Sequence, residues 1–250
     1  IGCRLIRQAH DIAMIGVLDD NAAALTATRR LLAALPEVLR RARYDVLIHA
    51  ALTYPLLAYD LVYDRLTATE RQAFAQWVIE TQVCHYLARN RGRYLKSPGM
   101  NLTLGRMLPA LKAVLLMAHE DDIGALDDEW AELILFFEAS LNAAIGPDGY
   151  PEEDTGYGSD FLVMLFRAAE VLRRAGRFNA LERCPQLARS GRALLSIIEP
   201  WGENLATTGD AGDHFQNRHH ILPRLAALTG DRTLVWFMGV LRNGGGGVKL

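Results

Sequence analysis

The chain has 250 residues, 50% of them apolar and 22% charged, so it is long enough and apolar enough to bury a substantial core. Its 27 Lys and Arg residues against 29 Asp and Glu residues give a formal net charge of -2, which argues against a nucleic-acid-binding domain. Its apolar runs fall well short of the roughly 18 residues of a membrane-spanning helix, and its cysteines show no CxxC spacing that would indicate a zinc cluster or a disulfide scaffold.

Apolar residues recur at helical period along almost the whole sequence, and short Gly, Pro and Asp punctuation separates the segments. Strand-like alternation of β-branched residues is scarce. The pattern therefore predicts an all-α protein of about ten helices. The predicted spans are 3–18, 21–35, 37–50, 52–65, 69–91, 99–119, 127–144, 158–175, 184–198 and 217–241, the last being a pair of helices.

Two helix boundaries have recognisable capping chemistry. The Thr67 hydroxyl can accept from the amides of the following turn while Glu70 reaches back, which is the capping-box pattern. Farther along, Gly230 can take the left-handed position that ends one helix, and Asp231 can cap the next. Both places are predicted helix starts.

Prolines and polar stretches suggest the remaining interruptions. Pro55 and Pro109 fall inside apolar helical patterns, where a missing amide favours a helix boundary or a kink. Longer non-helical intervals are predicted at 146–159 and around 201–213. In an all-helical protein, such loops are where binding and catalytic groups tend to lie.

Four stretches of this sequence resemble one family of enzymes. LTYPLLAYDLVYDRLTATERQAF, MNLTLGRMLPALKAVLLM, DGYPEEDTGYGSDFLVMLFRAAEVL and TTGDAGDHF with the following HHILPRLAALTGDRTL occur in the same order as similar segments of the heparinase II/III and alginate lyase families. The shared order supports the resemblance more strongly than any single segment does.

The resemblance implies a fold and an activity. The fold is an incomplete (α/α) toroid of helices in antiparallel pairs, forming one domain over residues 1–250. The activity is cleavage of an acidic, uronate-containing polysaccharide by β-elimination without a cofactor. Enzymes of this kind are periplasmic or secreted and carry a β-sandwich region after the toroid, so we expect the chain to be part of a longer protein.

Cleavage of a uronate by β-elimination needs a group that neutralises the carboxylate, a base for the C5 proton and an acid for the leaving oxygen. Tyr157 follows Glu152 by five residues and matches the family's catalytic tyrosine. Its ordinary pKa near ~10 is too high for a base at neutral pH, so nearby cations would have to lower it. Arg91, Arg93 or Lys96, in the basic stretch RNRGRYLK, could provide that charge, and the stretch could also attract an anionic sugar chain, with Arg93 as the candidate binding residue. The alternatives are a tyrosine packed against the bundle and an exposed, basic helix end.

The resemblance assigns further roles in two segments. Asn101 stands where the family's catalytic asparagine begins an Asn-His pair, although it is equally suited to be a helix N-cap. Leu102 replaces the histidine. Glu153 corresponds to an acidic residue that orients its neighbours, and its alternative is a solvated charge before a helix N-terminus. Tyr150 is a second, weaker tyrosine candidate.

The loop at 209–214 brings two carboxylates and an imidazole together in sequence. His214 is a candidate base, with Asp210 or Asp213 setting its near-neutral pKa. The histidine spacing does not match a metal-binding motif, so no metal site is predicted.

Two other functions remain open at this point. A glycoside hydrolase on the same barrel would pair Glu152 or Glu153 with Asp210 or Asp213. A catalytically inactive carbohydrate-binding toroid is the second alternative, and Leu102 in place of a histidine favours it. The predicted partner in each case is a polysaccharide or oligosaccharide rather than nucleic acid or a membrane.

Overall fold

A computed structural model describes residues 2–40, 52–118, 126–153, 155–197 and 221–243. Its named elements are all helical, which confirms the all-α prediction. Within those ranges the only β-type pairing is an isolated antiparallel bridge between Ile145 and Pro151. The helices that the model describes include none with the length and apolar character needed to cross a bilayer.

Most helices of the first half of the chain lie close to the predicted spans, but the second runs beyond residue 35, and residues 41–50 of the helix predicted over 37–50 lie outside the described residues. The helices are α1 (Gly2–Leu18), α2 (Ala22–Arg40), α3 (Thr53–Val62) with a 3₁₀ turn at Tyr63–Arg65, α4 (Ala68–Trp77), a π-helical segment at Val78–Cys84, α5 (His85–Lys96) and α6 (Asn101–Met117).

The second half contains two long helices and several shorter ones. They are α7 (Asp127–Ala144), α8 (Thr155–Arg174), α9 (Ala180–Arg183), a 3₁₀ turn at Pro185–Arg189, α10 (Ser190–Ser196), α11 (Ile221–Thr229) and α12 (Arg232–Asn243). The prediction of one helix over 184–198 is wrong, because a 3₁₀ turn occupies its first part.

Both predicted caps are confirmed. The Thr67 hydroxyl accepts from the Glu70 amide at 3.2 Å, and the Thr67 amide donates to the Glu70 carboxylate at 2.9 Å. Gly230 has a φ of 70° after the end of α11, and the Asp231 carboxylate accepts from the Thr233 amide at 2.9 Å. These contacts satisfy helix-end amides that have no partner within the helix.

Prolines end helices less often than the sequence suggests. The predicted break at Pro36 is wrong, because α2 continues through it to Arg40. Pro109 likewise lies inside α6, whereas Pro55 lies in the first turn of α3, where its missing amide costs nothing. An interior proline costs about 3 kcal/mol, and burial of apolar neighbours such as Leu108 offsets that loss.

The helix predicted over 69–91 is longer and irregular. Helices α4 and α5 join through the π-helical segment without interruption, from Ala68 to Lys96. Within that segment Val78, Ile79 and Val83 are buried. The local change from α to π hydrogen bonding therefore occurs on a core-facing part of the chain.

The chain divides into two compact units, each discontinuous in sequence. Unit 1 comprises Ile1–Gly92 and Gly105–Leu133. Within it, α1 packs against α2 and α3, and α2 also contacts α4. Tyr59 is 1% exposed and stacks on Phe74 with ring centroids 4.7 Å apart, so the core of this unit is partly aromatic.

Unit 2 comprises Arg93–Leu104 and Ile134–Leu250. Within its described part, α11 packs against α8, α10 and α12. Phe137 meets Phe178 edge-on at 5.6 Å between centroids, and Tyr94 contacts Phe136 at 5.0 Å. The Tyr94 contact anchors the segment that leads into Asn101 against α7.

Candidate functional site

The segment after α7 folds back on itself as a short, hydrogen-bonded loop. The Gly146 amide donates to the Tyr150 carbonyl at 2.8 Å, and the Glu152 amide donates to the Ala144 carbonyl at 2.9 Å. The Asp148 carboxylate accepts from the Tyr150 amide at 3.0 Å, forming an Asx turn. These bonds give the DGYPEE sequence a defined backbone path that returns to the end of α7.

The tip of this loop is pressed against the start of α10. Gly149 has a φ of 89°, and a Cβ atom there would lie 2.5 Å from the Arg189 carbonyl carbon and 2.6 Å from the Ser190 nitrogen. Only glycine fits both the backbone angle and the space. Arg189 also donates to the Pro147 carbonyl at 2.6 Å, so the loop is held from two directions.

The acidic end of the same loop reaches the start of α6. Both carboxylate oxygens of Glu153 lie 3.2 Å from the backbone nitrogen of Asn101 and accept its hydrogen. The Asn101 amide is one of the helix-start donors that has no partner inside the helix, and a negative charge there also favours the helix dipole. Two segments that are 52 residues apart in sequence are thereby joined.

Asn101 is the first residue of α6 rather than its cap. The Met100 carbonyl accepts the first helical hydrogen bond, from the Leu104 amide at 3.2 Å, which makes Met100 the N-cap. The N-cap alternative for Asn101 is therefore wrong, because Met100 occupies that position and Asn101 is already inside the helix. No described residue hydrogen-bonds the Asn101 side-chain amide.

The turn before Asn101 lies directly on the end of α7. A Cβ atom at Gly99 would lie 2.8 Å from the Ala143 carbonyl oxygen, so glycine allows a close approach of the two backbones. The residues flanking Asn101 are exposed, Met100 by 44% and Leu102 by 43%. The position where the family resemblance leads one to expect histidine is thus an exposed leucine.

Tyr157 lies in the first turn of α8, which begins at Thr155. The sequence predicted a loop to residue 159 with Tyr157 outside the helix, and that boundary is wrong. The acidic residues before Thr155 favour an earlier helix start because they complement the positive end of the helix dipole. The backbone of Tyr157 follows Glu153 by four residues.

The other predicted site residues take no part in the hydrogen bond between Glu153 and Asn101. Tyr150 is half-buried in the loop, and Arg93 is exposed near the end of α5. Asp210, Asp213 and His214 lie outside the described residues. The structure therefore brings together Asn101, Glu153 and the segment that contains Tyr150, while the histidine loop stays a prediction.

One arginine of the basic stretch, which belongs to unit 1, is already paired. Arg91 donates to the Glu132 carboxylate, with Nη2 at 2.8 Å from Oε2. This hydrogen bond lowers the pKa of Glu132 from its ordinary value and raises that of Arg91. Arg91 is consequently a poor candidate for a cation that lowers the pKa of a tyrosine.

Sequence reasoning overlooked two arginines. Arg189, which supports the loop tip, gives no local signal because its partner is 42 residues away. Arg106 is 7% exposed within an otherwise apolar part of α6, and a lone arginine in the run NLTLGRMLPALKAVLLM is a signal that could have identified it. Among the described residues, no group of three or more His, Cys, Asp or Glu side chains is arranged to hold a metal ion.

Comparison with known proteins does not assign a family. No protein-family model matches the sequence, and no curated protein matches it either. The likeness to heparinase II/III-type and alginate lyases therefore depends on the four sequence segments alone.

Proposed function

We propose that this chain is the α/α-toroid domain of a polysaccharide lyase that cleaves an acidic, uronate-containing polysaccharide by β-elimination. The observation that supports the proposal is the contact between Glu153 and the backbone amide of Asn101. It joins two of the segments on which the family resemblance depends. Residues that would have to work together on one substrate are thereby held together.

In this proposal Asn101 neutralises the substrate carboxylate. Its side-chain amide has no hydrogen bond to a described residue, so its two N–H donors are free to bind a carboxylate on which charge develops. Glu153 is the positioning residue, because it fixes the start of α6 through the backbone and leaves the Asn101 side chain uncommitted.

Tyr157 is the proposed proton-transfer residue. A tyrosine can take the C5 proton as a base and return a proton to the leaving oxygen, provided that its pKa is lowered toward neutral pH. Arg93 would supply the positive charge that lowers the pKa of Tyr157. His214 is the second candidate base. No metal or organic cofactor is required for this chemistry.

The loop between α7 and α8 is suited to holding reacting groups still. Gly149 packs against Arg189 and Ser190 at the tip, and Glu153 binds α6 at the other end. Catalytic groups are most effective when their support leaves little freedom to move. A loop tied at both ends satisfies that requirement.

The toroid arrangement is part of the proposal. In unit 1, α1 and α2 are joined by only three residues and pack against each other. In unit 2, α11 and α12 are likewise joined by Gly230 and Asp231 and are in contact. Short connections between packed helices produce antiparallel pairs, which are the repeating element of an α/α toroid.

A catalytically inactive carbohydrate-binding toroid is the second candidate. Leu102 is 43% exposed where the resembling enzymes have histidine, and this substitution removes a base from the start of α6. A glycoside hydrolase is less well supported, because Glu153 already accepts the Asn101 amide and is poorly placed to serve as a proton donor.

The three functions give different products from the same incubation. The protein would be mixed with alginate, heparan sulfate, hyaluronan and polygalacturonate. A lyase creates an unsaturated sugar with new ultraviolet absorbance, a hydrolase creates reducing ends without that absorbance, and a binding module creates neither but slows migration of the polymer in an affinity gel. Reducing ends without absorbance, or binding without any product, would contradict the lyase proposal.

A further inference from the structure

Arg106 is the one buried arginine among the described residues. It lies in the second turn of α6 and is 7% exposed, and its Nε is fully enclosed without a hydrogen-bond acceptor. No described carboxylate lies within ion-pair distance of it. The Nε–H donor of this guanidinium has thus lost its hydration without gaining an acceptor among the described residues.

The surroundings of Arg106 along the helix are apolar. On the side that follows it at helical spacing, Ala110, Ala113 and Met117 are each at most 1% exposed. A buried N–H donor without an acceptor is costly on such a face, since the interior does not replace the hydrogen bond that water gave it. The side chain would be better replaced by an apolar one if it had only to fill space.

Three more exposed arginines among the described residues show the opposite arrangement. Arg29, Arg91 and Arg192 each donate to a carboxylate, and their side chains are 41%, 56% and 70% exposed. The arginines that have carboxylate partners are thus ones whose positive charge water already stabilises. The arginine that most needs an anion has none from the described residues.

We propose that Arg106 is an oxyanion-binding residue that takes a carboxylate or a sulfate group of a ligand. A guanidinium has a planar fork of donors that matches such a group with two parallel hydrogen bonds. The low dielectric around it strengthens that interaction. The inference concerns binding alone, so it holds whether or not the chain cleaves a polysaccharide.

The test is the binding of small anions to the full chain at constant ionic strength. D-glucuronate, inorganic sulfate and neutral D-glucose would be titrated by calorimetry, and the melting temperature would be recorded in parallel. We expect glucuronate, sulfate or both to bind and raise the melting temperature, and glucose to do neither. Binding of glucuronate alone identifies a carboxylate as the ligand group, and binding of sulfate alone identifies a sulfate ester or free sulfate.

Variants of Arg106 decide whether that residue is responsible. Arg106→Met should weaken anion binding at least about tenfold and raise the melting temperature of the ligand-free protein, because it removes a buried donor that has no acceptor. Arg106→Lys keeps the charge without the fork and should bind with intermediate affinity. Arg40→Met, at an exposed arginine paired with Glu37 in α2, is the matched control and should leave binding unchanged.

Several results would overturn the inference. Failure of both anions to bind the wild-type chain would do so, as would wild-type affinity in Arg106→Met. A lower melting temperature of ligand-free Arg106→Met would show that the guanidinium has a stabilising partner within the protein. If Arg106→Met does not fold, wild-type affinity in Arg106→Lys would equally count against a bidentate site.

Discussion

The carboxylate of Glu153 accepts a hydrogen bond from the backbone amide of Asn101, with both oxygens 3.2 Å from the nitrogen. The contact ends the acidic loop between α7 and α8 on the first residue of α6. Glu153 thus acts as a helix cap from a distant part of the sequence. The side chain of Asn101 has no hydrogen bond to a described residue. This relationship leads to the first prediction.

Replacing Glu153 by Gln should destabilise unit 2 and impair the proposed site. Loss of a charge-assisted bond to the Asn101 amide is expected to cost about 1 to 2 kcal/mol of unfolding free energy. Urea unfolding measures the loss. Glu152→Gln, at an exposed carboxylate one residue earlier, is the control and should change stability little. Equal effects of the two substitutions would contradict a specific role for Glu153.

Gly149 should tolerate substitution far less well than another glycine with a positive φ. Gly149→Ala places a Cβ atom 2.5 Å from the Arg189 carbonyl carbon, whereas Gly176, with a φ of 64°, has nothing within 4 Å of that position. Gly176→Ala should cost about 1 kcal/mol from backbone strain alone. Gly149→Ala should cost at least about 2 kcal/mol. Similar melting temperatures for the two variants would show that the loop tip can move away.

Stability should fall in acid partly through Glu70. The hydrogen bond from Arg29, followed by that from the Thr67 amide, lowers the pKa of Glu70 to about 2. An unfolded glutamate titrates near ~4.3, so the stabilisation is complete above that pH and is lost as the pH falls toward 2. Glu70→Gln should therefore cost about 1 kcal/mol at pH 7 and much less near pH 2.

That pH dependence can be measured by urea unfolding of wild type and Glu70→Gln at several pH values. Glu37→Gln removes an exposed ion pair with Arg40 inside α2 and serves as the control. A difference between wild type and Glu70→Gln that stays constant down to pH 2 would contradict the assignment.

The two described cysteines should differ in reactivity. Cys184 is fully buried, and burial raises the pKa of its thiol to about 11. Cys84 is exposed, although partial burial and then the neighbouring Glu129 raise its pKa as well. In a Cys3→Ser background, a thiol reagent at pH 8 should label Cys84 slowly and Cys184 only after denaturation. Rapid labelling of Cys184 in the native protein would be inconsistent with its packing.

Contacts between residues close together in the sequence could be predicted, whereas contacts between distant segments could not. The Thr67 capping box and the Gly230–Asp231 boundary involve residues at most three apart, and both were predicted correctly. The continuation of α2 through Pro36 was missed because tertiary burial outweighs the local penalty of proline, whereas the helix through Pro109 agrees with the span predicted over 99–119.

The candidate site shows the same division. Asn101 and Glu153 were selected by their likeness to a family, but their hydrogen bond joins residues 52 positions apart and has no sequence signature. The unpaired state of Arg106 is also a property of the folded chain, since it depends on which groups come near it. The sequence pattern therefore identified the two segments that contain Asn101 and Glu153, and the structure showed the hydrogen bond between them.

The most direct test of the proposed function is the ultraviolet absorbance produced from uronate polysaccharides by wild type and by Tyr157→Phe. The substitution removes only the hydroxyl group that would transfer the proton. We predict that absorbance rises with wild type on at least one of the four polymers and that Tyr157→Phe lowers the rate at least about a hundredfold. Absence of new absorbance with wild type, or an undiminished rate with Tyr157→Phe, would contradict the account.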